Sequence, residues 1–148
     1  MEYCFKPIGV IHTPILEPQG APIQAARSEL TGTVEVFPEY AAGLEGLEDF
    51  SHVYLLYVFH RAGPGAELQV KPFLDDRLHG LFATRYPRRP NPLGLSIVRL
   101  EGRQGSRLTF RGADMLDGTP LLDIKPYIPE FDVFSVSQQG WYQDRAHP

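Results

Sequence analysis

A chain of 148 residues with a net charge of −4 fits one domain with an ordinary core, and 43% hydrophobic against 22% charged residues excludes a disordered or fibrous chain. No run approaches the roughly 20 apolar residues of a membrane span, and the opening Met-Glu-Tyr-Cys lacks both the basic and the apolar part of a secretory signal. The lone Cys4 excludes an internal disulfide and a cysteine-based zinc cluster, so a cytoplasmic protein without metal or membrane partner is expected.

In chain order, the first strand is expected at Ile8–His12, followed by a proline-rich arm, Thr13–Gln24. Thr31–Phe37 alternates, with Val34 and Val36 on one side and Thr33, Glu35 and Phe37 on the other, as a half-buried strand does. Leu44, Leu47 and Phe50 fall at i, i+3, i+6 and suggest a short helix over Tyr40–Phe50, limited by Gly43 and Gly46. His52–His60 is apolar on both faces and reads as a central strand ending in His60 and Arg61 before a Gly/Pro loop. Further strands are expected at Glu67–Phe73, Leu81–Thr84, Leu95–Glu101, Ser106–Gly112 and Leu121–Lys125. Eight strands with almost no helix predict an all-β fold, a closed or nearly closed antiparallel β-barrel with long loops. The whole chain, 1–148, is expected to form one domain, with the barrel at about 5–132 and a less patterned extension at 133–148.

Charge is uneven along this chain. Between Arg77 and Arg111 lie eight of the 14 Lys and Arg against the single acid Glu101, and local asymmetry of that kind attracts polyanions. Within it, Gly80–Ser96 reads GLFATRYPRRPNPLGLS. Tyr86, Arg89 and Asn91 each precede a proline and are pushed to extended conformations, while Pro87, Pro90 and Pro92 remove three backbone donors. Such a loop is either held together by side chains or forms a rigid wall for a ligand. Arg85, Arg88 and Arg89 can fork onto carboxylate or phosphate, and Gly94 permits close backbone approach.

A second cluster is Asp114–Asp132, DMLDGTPLLDIKPYIPEFD. Asp117-Gly118-Thr119-Pro120 is a turn signal, and Asp114, Asp117, Asp123, Lys125 and Tyr127 crowd in and after it. Asp123 and Lys125 share a strand face, as a buried ion pair or as part of a site. No dinucleotide, P-loop, zinc-protease or nucleophile-elbow signature is present.

IGVIHTP, APIQ, LEDFSHVYLLYVFHRA, the arginine-proline stretch and DGTPLLDIKPYIPEFD, in this order, resemble the TsaA-like (YaeB, TrmO) family of S-adenosylmethionine-dependent methyltransferases, over nearly the whole chain to about Asp132. The resemblance implies a small β-barrel, a homodimer, and N6-methylation of threonylcarbamoyladenosine at position 37 of tRNA. It implies cofactor contacts from Pro22, Ile23 and Gln24, from His60 and Arg61, from Arg85 and Leu95, and from Asp117, Gly118 and Thr119. Tyr86 stands where many members read Ser or Thr, and many bacterial members carry a second domain after the barrel. On this reading Arg85 holds or shapes the pocket of the methionine carboxylate, and Arg88, Arg89, Arg99 and Lys125 meet the nucleic acid. The ureido N–H acceptor must lose a proton, for which Asp117, Asp123, Tyr127 and His60 are the nominees, with a carboxylate preferred. The alternatives are a methyltransferase of this fold acting on another RNA or a small molecule, and a non-catalytic barrel that binds S-adenosylmethionine or RNA.

Overall fold

The computed structural model describes residues 1–22 and 24–145; Ile23, one of the expected cofactor contacts, lies outside the described residues. Its strands are β1 (Gly9–His12), β2 (Thr31–Val36), β3 (His52–Val58), β4 (Gln69–Val70), β5 (His79–Gly80), β6 (Leu93–Gln104), β7 (Arg107–Arg111) and β8 (Thr119–Pro126). Six of them close an antiparallel barrel in the order β1-β2-β7-β6-β3-β8, with β8 pairing back onto β1. The all-β barrel read from the sequence is therefore the observed fold. The barrel and its connections, Met1–His60 and Leu93–Tyr127, make one compact unit. Arg61–Pro92, with the chain from Ile128 on, makes a second, which holds the two-stranded β4–β5 sheet.

Period-two alternation builds the barrel core. Ile11, Val34, Val53, Leu55, Leu108 and Phe110 point inward and are almost fully buried, each worth about 1.5–3 kcal/mol of apolar burial. β3 lies between β6 and β8, but a closed barrel has no central strand, so the apolar character of both its faces does not come from such a position. Two bulges, one between Leu56 and Tyr57 opposite β8 and one between Leu100 and Gly102 opposite β7, sharpen the curvature that closure demands.

Three expectations change. The helix over Tyr40–Phe50 is two 3-10 turns, Pro38–Leu44 and Leu47–Asp49, separated by Gly46 in the left-handed region (φ 88°). Leu44 ends the first turn, Leu47 opens the second and Phe50 follows it, so their i, i+3, i+6 spacing does not lie on one continuous helix. Leu81–Ala83 is also a 3-10 turn and not a strand, closed by the Thr84 N–H and hydroxyl on the Leu81 carbonyl. Of Glu67–Phe73, only Gln69–Val70 pairs, with His79–Gly80.

Gly94 has a different role from the one its loop suggested. It faces inward on β6, and a Cβ there would lie 2.1 Å from Tyr57 Cε2, so the missing side chain makes room for the Tyr57 ring. Gly94→Ala should destabilise the fold by about 1–3 kcal/mol through overpacking, read as a lowered Tm in thermal denaturation. An unchanged Tm would contradict this assignment of Gly94.

Candidate functional site

One end of the barrel is organised by a turn. Gly118 has φ 80°, a conformation glycine adopts without strain, so the chain can reverse just before β8. The turn docks on the first strand and the residues after it. Asp117 N–H donates to the Ile15 carbonyl at 2.8 Å and Gly118 N–H to that of Ile11 at 2.9 Å. In return, Thr13 N–H donates to Asp117 Oδ1 at 3.1 Å, across 104 residues of sequence. His12 stands between two acids, Nδ1 3.5 Å from Asp117 and Nε2 3.5 Å from Glu35. Thr119 is buried, its hydroxyl on the Leu116 carbonyl at 2.6 Å. Asp117-Gly118-Thr119 is thus a fixed structure whose carboxylate has a defined direction.

The strand register brings several sequence candidates to this end. β3 runs antiparallel to β8, with Tyr57 opposite Leu121, so exposed His60 lies beyond the Thr119 end of β8. Leu95, on β6, pairs with Leu56 of β3, which is itself opposite Asp123, so it stands on the outer wall level with the middle of β8 and is 57% exposed. Pro22 and Gln24 are half-buried, and the Gln24–Arg27 turn is anchored through Ala25 to Asp114.

Other candidates lie elsewhere on the barrel. Asp123 is exposed midway along β8, beside an open depression of about 420 Å³ that Tyr40 and Leu44 help line, and its Oδ1 accepts the Ile124 N–H. Lys125 is exposed opposite Tyr54, and Arg99 opposite His52. Asp123 and Lys125 are therefore not a buried pair. Tyr127 packs edge-on against Tyr54 and His52, and its N–H bonds to the His52 carbonyl. From Thr119 to Tyr127 the chain runs about 25 Å at the usual strand rise, so Asp117 and Tyr127 of one chain cannot serve the same acceptor atom.

A buried polar chain lies behind this end of the barrel. The Tyr57 hydroxyl meets Ser96 Oγ at 2.8 Å, and Ser96 donates to Asp114 Oδ1 at 2.7 Å. The Ala25 N–H bonds to the same carboxyl, tying the Gln24–Arg27 turn to β3 and β6. Burial raises the Asp114 carboxyl above its ordinary value. Burial likewise raises the Tyr57 hydroxyl, with the neighbouring carboxylate adding to the effect. Sequence reading counted Asp114 among the ionisable groups but gave it no role. The available signal was the inward face of β6, where Gly94 and Ser96 occupy positions that a barrel core fills with larger apolar residues.

In the second unit, the arginine-proline loop is held by its own arginines. Arg89 Nη1 donates to the Thr84 and Tyr86 carbonyls, both at 2.9 Å, with its guanidinium 5.9 Å from the Phe82 ring centre. Arg88 Nε donates to the Ala62 carbonyl at 2.9 Å, and its guanidinium lies over Gly63. The side chains thus supply donors to a stretch from which the prolines have removed three. Arg85 and Arg61 are exposed.

The cationic stretch is also partly neutralised by acids distant in sequence. Arg103 pairs with Glu48, Arg107 with Glu35, and Arg111 with Glu101 and Glu29. Of the arginines that follow the loop, Arg103, Arg107 and Arg111 are thus engaged in ion pairs on the barrel surface. Among the described residues there is no cluster of His, Cys, Asp and Glu able to hold a metal and no helix long and apolar enough to cross a membrane.

Comparison with known proteins gives a consistent picture. The sequence model of the tRNA-methyltransferase O N-terminal domain matches residues 10–133. A probable S-adenosyl-L-methionine-binding protein of Pyrococcus abyssi is 54% identical over 145 residues, covering 97% of this chain and 78% of that protein. A human tRNA (adenine(37)-N6)-methyltransferase is 39% identical over 134 residues, 86% of this chain but 30% of that enzyme. The crystal structure of TrmO from Pseudomonas aeruginosa superposes with a TM-score of 0.80 at 41% identity, over 95% of this chain and 62% of that one.

Because Asp114 has a raised value, its contribution to folding is greatest when protonated and falls as the pH rises out of the ordinary carboxylate range. Asp114→Asn keeps an oxygen for Ser96 and removes the charge. Its stability relative to wild type should therefore improve from acid to neutral pH. Asp114→Ala leaves buried hydroxyls short of a partner and should cost about 1–3 kcal/mol. Urea melts of the three proteins at two pH values check this; a wild-type-to-Asn difference that does not move with pH would contradict it.

Proposed function

Since the chain belongs to the tRNA-methyltransferase O N-terminal domain family, we propose that it is an S-adenosylmethionine-dependent methyltransferase acting on N6 of threonylcarbamoyladenosine at position 37 of tRNA. The observation that carries this reading is the Asp117-Gly118-Thr119 turn locked onto the first strand, within the stretch that matches the family. Relatives named as S-adenosyl-L-methionine-binding proteins and as tRNA (adenine(37)-N6)-methyltransferases support cofactor and substrate respectively.

The proposed cofactor contacts are Pro22, Ile23, Gln24, His60, Leu95 and Asp117–Thr119. Arg61 and Arg85 are proposed as cationic and bidentate partners of its carboxylate. The cofactor supplies an electrophilic methyl group on sulfonium. The residues supply position, from which most acceleration of an in-line displacement derives. The acceptor N–H loses its proton as the new C–N bond forms and the sulfonium leaves as a neutral thioether. Asp117 is the preferred proton acceptor, because the turn fixes its carboxylate; Asp123 and Tyr127 lie progressively further along β8. Arg88 and Arg89 act first as braces of their loop. Contact of their guanidinium edges with tRNA is proposed as a second role, alongside Arg99 and Lys125.

A homodimer is proposed on the outer wall of β3 and β6. There Leu93, Leu95 and Ile97 pair with Val58, Leu56 and Tyr54, a continuous apolar face where a solvated barrel wall would be polar. The same face explains why His52–His60 reads as apolar on both sides. Exposed Cys4, unpaired, suits a reducing cytoplasm.

Tritiated methyl incorporation should appear in tRNA carrying threonylcarbamoyladenosine and not in tRNA lacking it; cofactor binding without label in either would move the acceptor elsewhere. With cofactor saturating, Asp117→Asn should lower turnover by about 10²-fold or more, and near-normal turnover in both Asp117→Asn and Asp123→Asn would exclude a carboxylate base. Ile97→Glu should convert a dimer into a monomer in sedimentation or light scattering; a wild type that is already monomeric would refute the interface.

A further inference from the structure

The C-terminal segment reaches the arginine-proline loop through a set of specific polar contacts. Asp75 has a side chain only 4% exposed, with His79 Nε2 at one carboxylate oxygen and Arg145 Nη2 2.6 Å from the other. The His79 hydrogen bond, and then Arg145, hold the Asp75 carboxyl well below the usual carboxylate range. The indole of Trp141 stacks on the His79 ring, centroids 5.1 Å apart at 24°. Its Nε1–H donates to the Ala83 carbonyl at 2.7 Å, across 58 residues of sequence.

Ala83 ends the 3-10 turn that leads into the loop. The next residue, Thr84, is buried and acts as a junction: its hydroxyl donates to Leu81 O and accepts the Tyr86 N–H, while its carbonyl takes Arg89. Arg85 sits between Thr84 and Tyr86, with fixed backbone on both sides. Trp141 thus holds the carbonyl at the base of this junction, and Asp75, His79 and Arg145 hold Trp141.

We propose that Trp141 and Arg145 are positioning residues for Arg85: the 140–145 segment is a brace that sets the direction of the arginine-proline loop for its ligand. The proposal rests on the reading of Arg85 as a cofactor contact. Plain packing of a peripheral segment would need apolar burial only. Here a carboxylate whose side chain is almost fully covered is held at both oxygens, by His79 and by Arg145, and an indole N–H is aimed at one particular carbonyl.

Trp141→Phe retains an aromatic ring over His79 and removes only the donor to Ala83. Arg145→Gln removes the guanidinium from Asp75, leaving His79 as its side-chain partner, and keeps the sole tryptophan as an optical reporter. Arg85→Ala serves as the reference. Calorimetric titration with S-adenosylmethionine and steady-state methyl transfer would be measured on each full-length variant, with Tm recorded in parallel. The expected result is a rise of roughly fivefold to tenfold in cofactor Kd and KM for Trp141→Phe, in proportion to the loss of one hydrogen bond, with kcat changed less. Arg145→Gln should shift Trp141 emission and raise Kd in the same direction. The double variant Trp141→Phe/Arg85→Ala should bind no worse than Arg85→Ala alone, because the brace acts through Arg85.

Trp141→Phe and Arg145→Gln variants with wild-type cofactor affinity would overturn the brace, as would a double variant with fully additive losses. If Trp141→Phe does not fold, Arg145→Gln and its emission shift decide the matter alone. A wild type that binds no S-adenosylmethionine overturns the functional reading beneath it, an outcome distinct from a wild type that binds while the variants show no loss.

Discussion

Closure of the barrel between β1 and β8 is the constraint on which the candidate site depends. These strands are far apart in sequence, yet their pairing sets Ile11 opposite Thr119 and leaves the Asp117 turn against the chain that follows β1. Three backbone-level hydrogen bonds then lock that turn: two from its N–H groups to Ile11 and Ile15, and one from Thr13 to its carboxylate. Long-range pairing of this kind is slow to form, because the loop-closure entropy must be met before the contacts reward it. Once formed, it fixes a carboxylate on rigid backbone, where its direction does not depend on a mobile loop.

The same logic of preorganisation governs the arginine-proline loop by other means. Prolines restrict the backbone but deprive it of donors, so the chain cannot brace itself with main-chain bonds. Arg88 and Arg89 meet this deficit with guanidinium donors to the carbonyls of Ala62, Thr84 and Tyr86. A guanidinium fork carries five N–H groups, so one arginine can satisfy the loop and still offer charge outward. The barrel arginines are used differently: Arg103, Arg107 and Arg111 spend charge on Glu48, Glu35, Glu101 and Glu29, a surface arrangement that screens the positive stretch.

Much of the fold was legible because period two is a strong signal. The cores of β1, β2, β3, β6, β7 and β8 all lie inside stretches that alternation or apolar continuity marks as strands. Short apolar runs were less informative. Leu81–Thr84 reads as a strand, but a threonine hydroxyl closes it into a turn, a local competition that composition does not reveal. At the candidate site, the motifs were visible and the distances were not. Asp117, Asp123 and Tyr127 crowd together along the sequence, yet an extended strand spreads them from one end of the barrel toward the other. Conversely, Tyr57, Ser96 and Asp114 are scattered in sequence and meet only because β3 and β6 pair; only the small inward residues of β6 hinted at them. The pairing of the arginine cluster was equally hidden, since Glu29, Glu35 and Glu48 reach it from distant parts of the sequence.

The central claim is that the barrel end bearing the Asp117 turn receives S-adenosylmethionine. Its most direct test is an amide-resolved NMR titration of the isotopically labelled chain with the cofactor. The account predicts shifts concentrated at Gln24, His60, Leu95, Gly118 and Thr119, with the amides of Arg99 and Tyr127 at the other end undisturbed. Shifts confined to that far end, or none at saturating cofactor, would contradict it.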